Sequence, residues 1–336
     1  MPSTTLSSSA TAANMTNANP ATNNASGAPL ISQSKILTFI GGGNMAEAIL
    51  GGLIAKGFHP SHLRVSDPVA ERCAYMHNRY HVPVFTDNIA ALTGRPGASP
   101  AGCPAATYPT DQRPTDVVIL AVKPQVMHPV MADMGRVLLD THPLIISIAA
   151  GIRVGDLLRW IKDGAPADGR TPTLPHVVRC MPNTPALVGH GASGLYAENS
   201  VLDEQKTIAG EIMGAVSRTF WVEREDMIDA VTGVSGSGPA YFFLMLEAMQ
   251  QGGVEAGLSP KLAAQLAAQT CLGAAHMILN SDESAAELRR KVTSPKGTTE
   301  AAVNTMIEGG LKEAVISGVL AADRRSKDLA DQLGQQ

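Results

Sequence analysis

Residues 39–50 read FIGGGNMAEAIL. An apolar run, ILTFI (36–40), leads into two glycines spaced G-x-G, and Ala46 closes a G-x-G-x-x-A match ahead of a helical pattern. A strand, a tight glycine turn and a helix start, in that order, make a seat for a pyrophosphate. Gly41 permits the turn, Gly43 lets backbone approach the ligand, and a helix from about Asn44 offers free N–H groups and a positive dipole end. The stretch predicts the first βα unit of a dinucleotide-binding sheet, with cofactor contacts at Ile40, Gly41, Gly42, Gly43, Asn44 and Met45.

The sequence around this unit keeps the same rhythm. Short apolar runs rich in β-branched residues recur at LRVS (63–66), VVILAV (117–122), LIISIA (144–149) and VVRCM (177–181), separated by helix-length segments. Alternation of this kind predicts a parallel sheet covered on both faces, here a doubly wound sheet of five strands. Two stretches break it, 94–115 and 163–175, both rich in Pro, Gly and small residues, and they read as surface insertions. The first 34 residues are mostly Ser, Thr, Asn, Ala and Pro with no charged residue, a composition that predicts a disordered extension. A Rossmann-type domain is expected over 35–224.

In open α/β sheets ligands bind beyond the carboxyl ends of the strands, so those ends supply the next candidates. Asp67 follows the second strand where an acidic side chain can hold an adenosine ribose, which points to NAD. Arg64 and Arg72 stand close enough in sequence to take a 2′-phosphate, so NADP stays open. AVKP (Ala121, Val122, Lys123, Pro124) ends the third clear strand, where Lys123 can bond a ribose or an amide. SIAAG (147–151) ends the next, where Ala149, Ala150 and Gly151 leave room for a flat ring.

Composition excludes other classes. A net charge of −4 without a basic stripe argues against nucleic acid and against an anionic membrane surface. Cys73, Cys103, Cys180 and Cys271 form no C-x-x-C, which fits a reducing cytoplasm, and no metal is expected because His59 and His62 have no acidic company. The apolar run at 241–246 is well short of the roughly 20 residues of a membrane span.

After about residue 224 the strand signals stop and 225–336 becomes Ala-rich with helical spacing. Ser259 followed by Pro260 starts a long helix over 260–279. Residues 240–251 are apolar nearly all round, which predicts a central helix in an intersubunit core. VTGVSGSGPAY (231–241) reads as a Gly-rich turn that permits close helix crossing. VTSPKGTTEAAVNTM (292–306) sets Ser294, Thr298 and Thr299 around Pro295 and Gly297 at a helix start. Such a place suits a small carboxylate, but taken alone the stretch reads first as simple helix capping by Ser or Thr.

Taken together, FIGGGNMAEAIL, AVKP, SIAAG, RCMPNTP (179–185), DAVTGVSGSGPAY (229–241) and VTSPKGTTEAA (292–302) resemble, in order and approximate spacing over 35–330, the pyrroline-5-carboxylate reductase family of proline biosynthesis. The resemblance implies a Rossmann domain and a helical domain that interleaves with its partner in a homodimer, with dimers often assembled into a ring such as a decamer. It implies reduction of the cyclic imine L-Δ1-pyrroline-5-carboxylate to L-proline by NADPH or NADH. By the same resemblance, Ser294, Gly297, Thr298 and Thr299 hold the substrate carboxylate, Thr299 bonds the ring nitrogen as the catalytic residue, Glu225 lies near the substrate, and Asn88 contacts the cofactor. Lys296 replaces the glycine of the family's more usual S-P-G-G-T-T. If that position needs a positive φ, lysine carries a strain on the order of 1 kcal/mol.

Two other readings compete. A β-hydroxyacid dehydrogenase pairs a similar start with a helical domain but uses a helix-borne lysine, and 240–257 contains none. A non-catalytic nicotinamide-nucleotide sensor would use the first motif and leave the hydroxyl-rich stretch idle.

Overall fold

A computed structural model describes residues 30–95, 113–165 and 172–335. Residues 1–29 of the expected extension, 96–112 of the first insertion and 166–171 of the second therefore lie outside the described residues. One sheet of eight strands is built from β1 (Leu37–Ile40), β2 (Leu63–Ser66), β3 (Val84–Phe85), β4 (Val117–Leu120), β5 (Leu144–Ser147), β6 (Val177–Met181), β7 (Gly191–Ala197) and β8 (Ser217–Trp221). Its order is β3-β2-β1-β4-β5-β6-β7-β8, the doubly wound arrangement with two strands added at one edge. The pairings are parallel except between β6 and β7.

The helices interleaved with the strands are α1 (Asn44–Ala55), α2 (Ala70–Tyr80), α3 (Asn88–Thr93), α4 (Met127–Thr141), α5 (Val154–Asp163) and α6 (Asp203–Met213). Side chains alternate along each strand, so the sheet feeds two cores. Leu37, Phe39, Val117 and Ile119 join Ile49, Leu50 and Leu53 of α1 and Ile212 of α6 on one face. Ile40, Val118, Leu120 and Ile145 join Met131 and Met134 of α4 and Trp160 of α5 on the other.

Five strands were expected and eight are present among the described residues. The three missed ones have physical reasons. β3 is two residues long. β8 lies at the sheet edge with Arg218, Phe220 and Trp221 exposed, so it lacks a continuous apolar run. β7, GASGLYA, looks like a loop because glycine and small residues are poor strand formers. Space demands them: a Cβ on Gly191 would stand 2.2 Å from Ser217 Oγ, and one on Gly194 would stand 2.6 Å from Val231. β4 and β5 also end two residues earlier than read, which leaves Ala121, Val122, Ile148 and Ala149 beyond the strands.

From Met227 onward the regular elements are helical: α7 (Met227–Val231), α8 (Gly238–Glu255), α9 (Pro260–Leu279), α10 (Ala285–Lys291), α11 (Thr298–Glu308) and α12 (Leu311–Gly334). The Ser259 hydroxyl accepts the Leu262 N–H at 3.4 Å and caps α9 where expected. Residues 231–241 do not form the open Gly-rich turn expected of them. A π-helical turn, Thr232–Gly236, carries α7 into α8. The Gly-rich composition does serve a close crossing, since a Cβ on Gly233 would lie 2.7 Å from the Val319 carbonyl oxygen of α12.

α8, expected to be central in an intersubunit core, is bare within one chain. Phe242, Phe243 and Leu244 are 60%, 61% and 68% exposed, and Leu262, Leu266, Met277, Ile307 and Ile316 are exposed on the helices that follow. A contiguous apolar surface of this kind marks a protein interface. α9 is long and apolar enough to cross a membrane, by length and composition, and it belongs to the same surface.

The crossing at Gly233 sets a prediction. Gly233→Ala forces a methyl against backbone that cannot swing aside, so it should lower stability by about 1–3 kcal/mol. Denaturant unfolding at fixed chain concentration measures it, and an unchanged midpoint would refute the close-contact account.

Candidate active site

Parallel register places the ends of four strands in one row. Ile40 is paired with Ser66 and with Leu120, and Leu120 with Ser147. The residues that follow, from Gly41, Asp67, Ala121 and Ile148, therefore rim a single crevice. Gly41 turns the chain sharply there with φ +98°; its N–H donates to Ser66 O at 2.8 Å, and a Cβ on it would sit 2.8 Å from Ala121 O. Only glycine meets both conditions.

Gly43 ends the loop as the cap residue of α1, with no side chain bonded to the helix start, and a Cβ on it would meet nothing within 4 Å. Gly43 and Asn44 are exposed and Met45 is half-buried. The first amides of a 12-residue helix thus face open space, which fits a dinucleotide pyrophosphate.

The other predicted cofactor residues gather on the same rim. Asn88 starts α3 and its Oδ1 accepts the Ser66 hydroxyl at 2.7 Å. Ala121 and Val122 are half-buried past β4, Lys123 is exposed, and Pro124 opens a short 3-10 turn. Ala149 is buried and Ala150 half-buried past β5. Asp67 is tied to the loop itself, Oδ2 accepting the Gly42 N–H at 2.8 Å. Arg64 departs from expectation. It is 1% exposed and donates to the carbonyls of Ala91 and Arg113, so it cannot reach a 2′-phosphate.

Glu225 occupies the junction between the sheet and the helices. Its Oε1 accepts the Val154 N–H at the start of α5 at 2.7 Å and the Arg179 Nη1 at 3.3 Å. Arg179 of β6, 2% exposed, also stands 3.9 Å from Asp229 of α7, an ion-pair distance too long for a hydrogen bond. Asp229 in turn accepts the Ser326 hydroxyl of α12 at 2.6 Å. This buried polar line was missed in the sequence, where its only signal is one arginine inside the apolar strand VVRCM. Arg153 bonded to Asp331 at 2.6 Å adds a second tie between α5 and α12.

The hydroxyl-rich stretch lies at the turn from α10 to α11. Gly297 N–H donates to Ser294 O at 3.0 Å, with Pro295 and Lys296 at the two central positions. Lys296 has φ +62°, the left-handed conformation that glycine takes most easily, so the lysine is strained there. Its N–H donates to Glu300 Oε2 at 2.7 Å. Two amides of the stretch are thereby taken, and those of Thr298 and Thr299, in the first turn of α11, lack intrahelical acceptors. Ser294, Thr298 and Thr299 are exposed and Gly297 is half-buried. Among the described residues no hydrogen bond or ion pair joins 292–299 to the sheet. One chain does not bring the two halves of the predicted site together.

Similarity to known proteins agrees with this geometry. The family described as pyrroline-5-carboxylate reductase dimerisation matches residues 225–329, and the family described as NADP oxidoreductase, coenzyme F420-dependent, matches 36–151. A pyrroline-5-carboxylate reductase of Pseudomonas aeruginosa is 44% identical over 299 residues, 89% of this chain and 98% of the relative. The chain belongs to the pyrroline-5-carboxylate reductase family. The reductase of Glycine max is 35% identical over 305 residues, covering 90% of this chain and 98% of its own. The solved structure of a pyrroline-5-carboxylate reductase from Coxiella burnetii superposes with a TM-score of 0.75 at 36% identity, covering 88% of this chain and 98% of that one. The bare apolar helices lie within the part matched by the family's dimerisation unit.

The left-handed Lys296 generates a stability order. Lys296→Gly should stabilise the fold by up to about 1 kcal/mol, and Lys296→Val should destabilise it, because a β-branched residue fits a positive φ worst. Chemical denaturation of the three proteins reads the order; equal midpoints would mean that the turn relaxes without cost.

Proposed function

We propose that this protein reduces the imine of L-Δ1-pyrroline-5-carboxylate to L-proline with NADPH or NADH, the last step of proline biosynthesis. The observation that carries the reading is the pairing in one chain of a glycine crevice fitted to a dinucleotide with a hydroxyl-rich helix start fitted to a small carboxylate. A reduced nicotinamide bound in the crevice supplies hydride to the imine carbon. The imine nitrogen is protonated from water, so the protein's task is positioning.

In this reading 35–224 forms the dinucleotide unit and 225–336 the dimerisation and substrate unit. The backbone of Ile40, Gly41, Gly42, Gly43, Asn44 and Met45 receives the pyrophosphate. Ala121, Val122, Lys123 and Pro124, with Asn88, line the ribose and nicotinamide side, and Ala149 and Ala150 leave space for the ring. Ser294, Gly297 and the free amides of Thr298 and Thr299 orient the substrate carboxylate, and the Thr299 hydroxyl aligns the ring nitrogen. Glu225 acts at the substrate end by holding the start of α5 in place.

The protein works as a homodimer in a reducing cytoplasm, and such dimers can assemble into a ring. The bare faces of α8, α9 and α11 are the surface that a second copy covers, and the separation of 292–299 from the sheet within one chain is removed if the partner supplies that stretch.

Two outcomes test this. Thr299→Ala should lower kcat on pyrroline-5-carboxylate by about tenfold to a hundredfold with an unchanged melting temperature; full turnover would remove Thr299 from the reaction. Gly43→Asp puts a carboxylate where the pyrophosphate sits and meets no protein atom. Coexpressed with the Thr299→Ala chain, it should recover about a quarter of wild-type activity through mixed dimers. Recovery no greater than the two variants assayed apart would mean that each site is built within one chain.

A further inference from the structure

The loop that follows β5 has few anchors of its own. Ile148 N–H donates to Leu120 O at 3.1 Å, and Ala149 N–H reaches Ser147 Oγ only at 3.5 Å. Then come Ala150 and Gly151, and Gly151 turns the chain with φ +72°. Two methyls and a hydrogen cannot reach outward for a partner, so the place of this loop depends on what packs against it.

The packing comes from the far end of the chain. Ser326, Leu329, Ala330 and Leu333 are spaced by three and four residues and so share one face of α12. Ala330 and Leu333 are buried, and Leu333 joins Ile152 and Val154 in one core. A Cβ on Gly151 would lie 3.3 Å from Leu329 Cβ, 3.5 Å from Leu333 Cδ1 and 3.6 Å from Ala330 N, so the glycine lets the helix lie flush on the loop.

Polar bonds hold the same contact at its edge. Arg153 Nη2 donates to Asp331 Oδ1 at 2.6 Å, and Arg159 of α5 joins Asp156 Oδ1, at 2.9 Å, to the Gly334 carbonyl. The bond from Ser326 to Asp229 pins α12 about one turn earlier. The start of the same helix is different, with Val315, Ile316 and Leu320 exposed. Only its end is seated, and it is seated on this loop.

Resting on the reading that Ala149 and Ala150 leave space for the nicotinamide, we propose that the last two turns of α12 are a strut that sets the position of that ring. Ala330 and Leu333 press the loop from behind and Asp331 ties its end, and the loop aligns the ring for hydride transfer. These are positioning residues, which act on the cofactor through the loop. The adenosine end lies beyond β2, three strand spacings or about 14 Å from the loop after β5, and should not feel the strut.

Full-length Leu333→Ala tests this beside wild type. NADPH is followed by nicotinamide fluorescence, and ADP-ribose 2′-phosphate, which lacks the ring, by calorimetry. The kcat on pyrroline-5-carboxylate should fall about tenfold, since small misplacements of reacting groups are costly. NADPH should bind about threefold to tenfold more weakly while the ringless probe binds within about twofold of wild type, a split that general loosening of the fold would not produce. Leu333→Met conserves volume and should keep kcat within about twofold. Thermal melts report folding. If Leu333→Ala does not fold, Asp331→Lys reads the same split, because it sets a like charge against Arg153 at an exposed position, and it should lower kcat about threefold. Unchanged kcat and NADPH affinity in the folded variant, or an equal loss for the ringless probe, overturns the strut and leaves the reductase reading in place. Wild-type protein that binds NADPH but does not oxidise it with pyrroline-5-carboxylate would remove that reading, and the strut's part in turnover with it.

Discussion

Parallel strand pairing in register is the constraint on which the rest of this structure depends. Because Ile40, Ser66, Leu120 and Ser147 end their strands in one row, the loops that follow must open on the same side of the sheet. A glycine turn, an acidic side chain, an A-V-K-P turn and an Ala-Ala-Gly turn then share one crevice although they are spread over about a hundred residues. Gly41 is the tightest point of that edge, squeezed against the Ala121 carbonyl and bent to a positive φ.

The helical half is joined to this edge by charge, at the cost of burying it. Arg179, Glu225 and Asp229 form a line from β6 to α12, and Arg179 leaves two of its nitrogens without hydrogen-bond partners. Removing one member of such a group leaves the others buried and uncompensated, which is why a line of this kind specifies one arrangement of the two halves more than it stabilises either. Beyond it, α8 to α11 hold few buried side chains of their own. Their apolar faces are stable in water only when covered, and so the helical half is designed around a second chain.

The hydroxyl-rich turn shows how little local physics says about purpose. The Glu300 carboxylate and the Ser294 carbonyl take the amides of Lys296 and Gly297 and hold a lysine in a conformation it resists. Strain of this kind persists where surrounding structure enforces it. Here a single side chain from the first turn of α11 does so.

Residue patterns alone determined the doubly wound sheet, the helical second half, the glycine turn and the start of α9, because each rests on interactions between residues close in sequence: strand alternation, a G-x-G turn, a serine cap. The resemblance to the reductase family added that Lys296 stands where glycine is usual. They did not disclose β7 and β8, since the glycines of β7 answer to Ser217 and Val231, which are distant in sequence. Nor could they separate Arg64 from Arg72: two cations eight positions apart look alike until folding buries one against carbonyls and salt-bridges the other to Glu47. The ties of Asp67 to the glycine loop and of Glu225 to Arg179 belong to the same class. Tertiary structure alone decided them, because the partners of a buried charge are chosen by which strands and helices meet, and sequence spacing does not record that meeting.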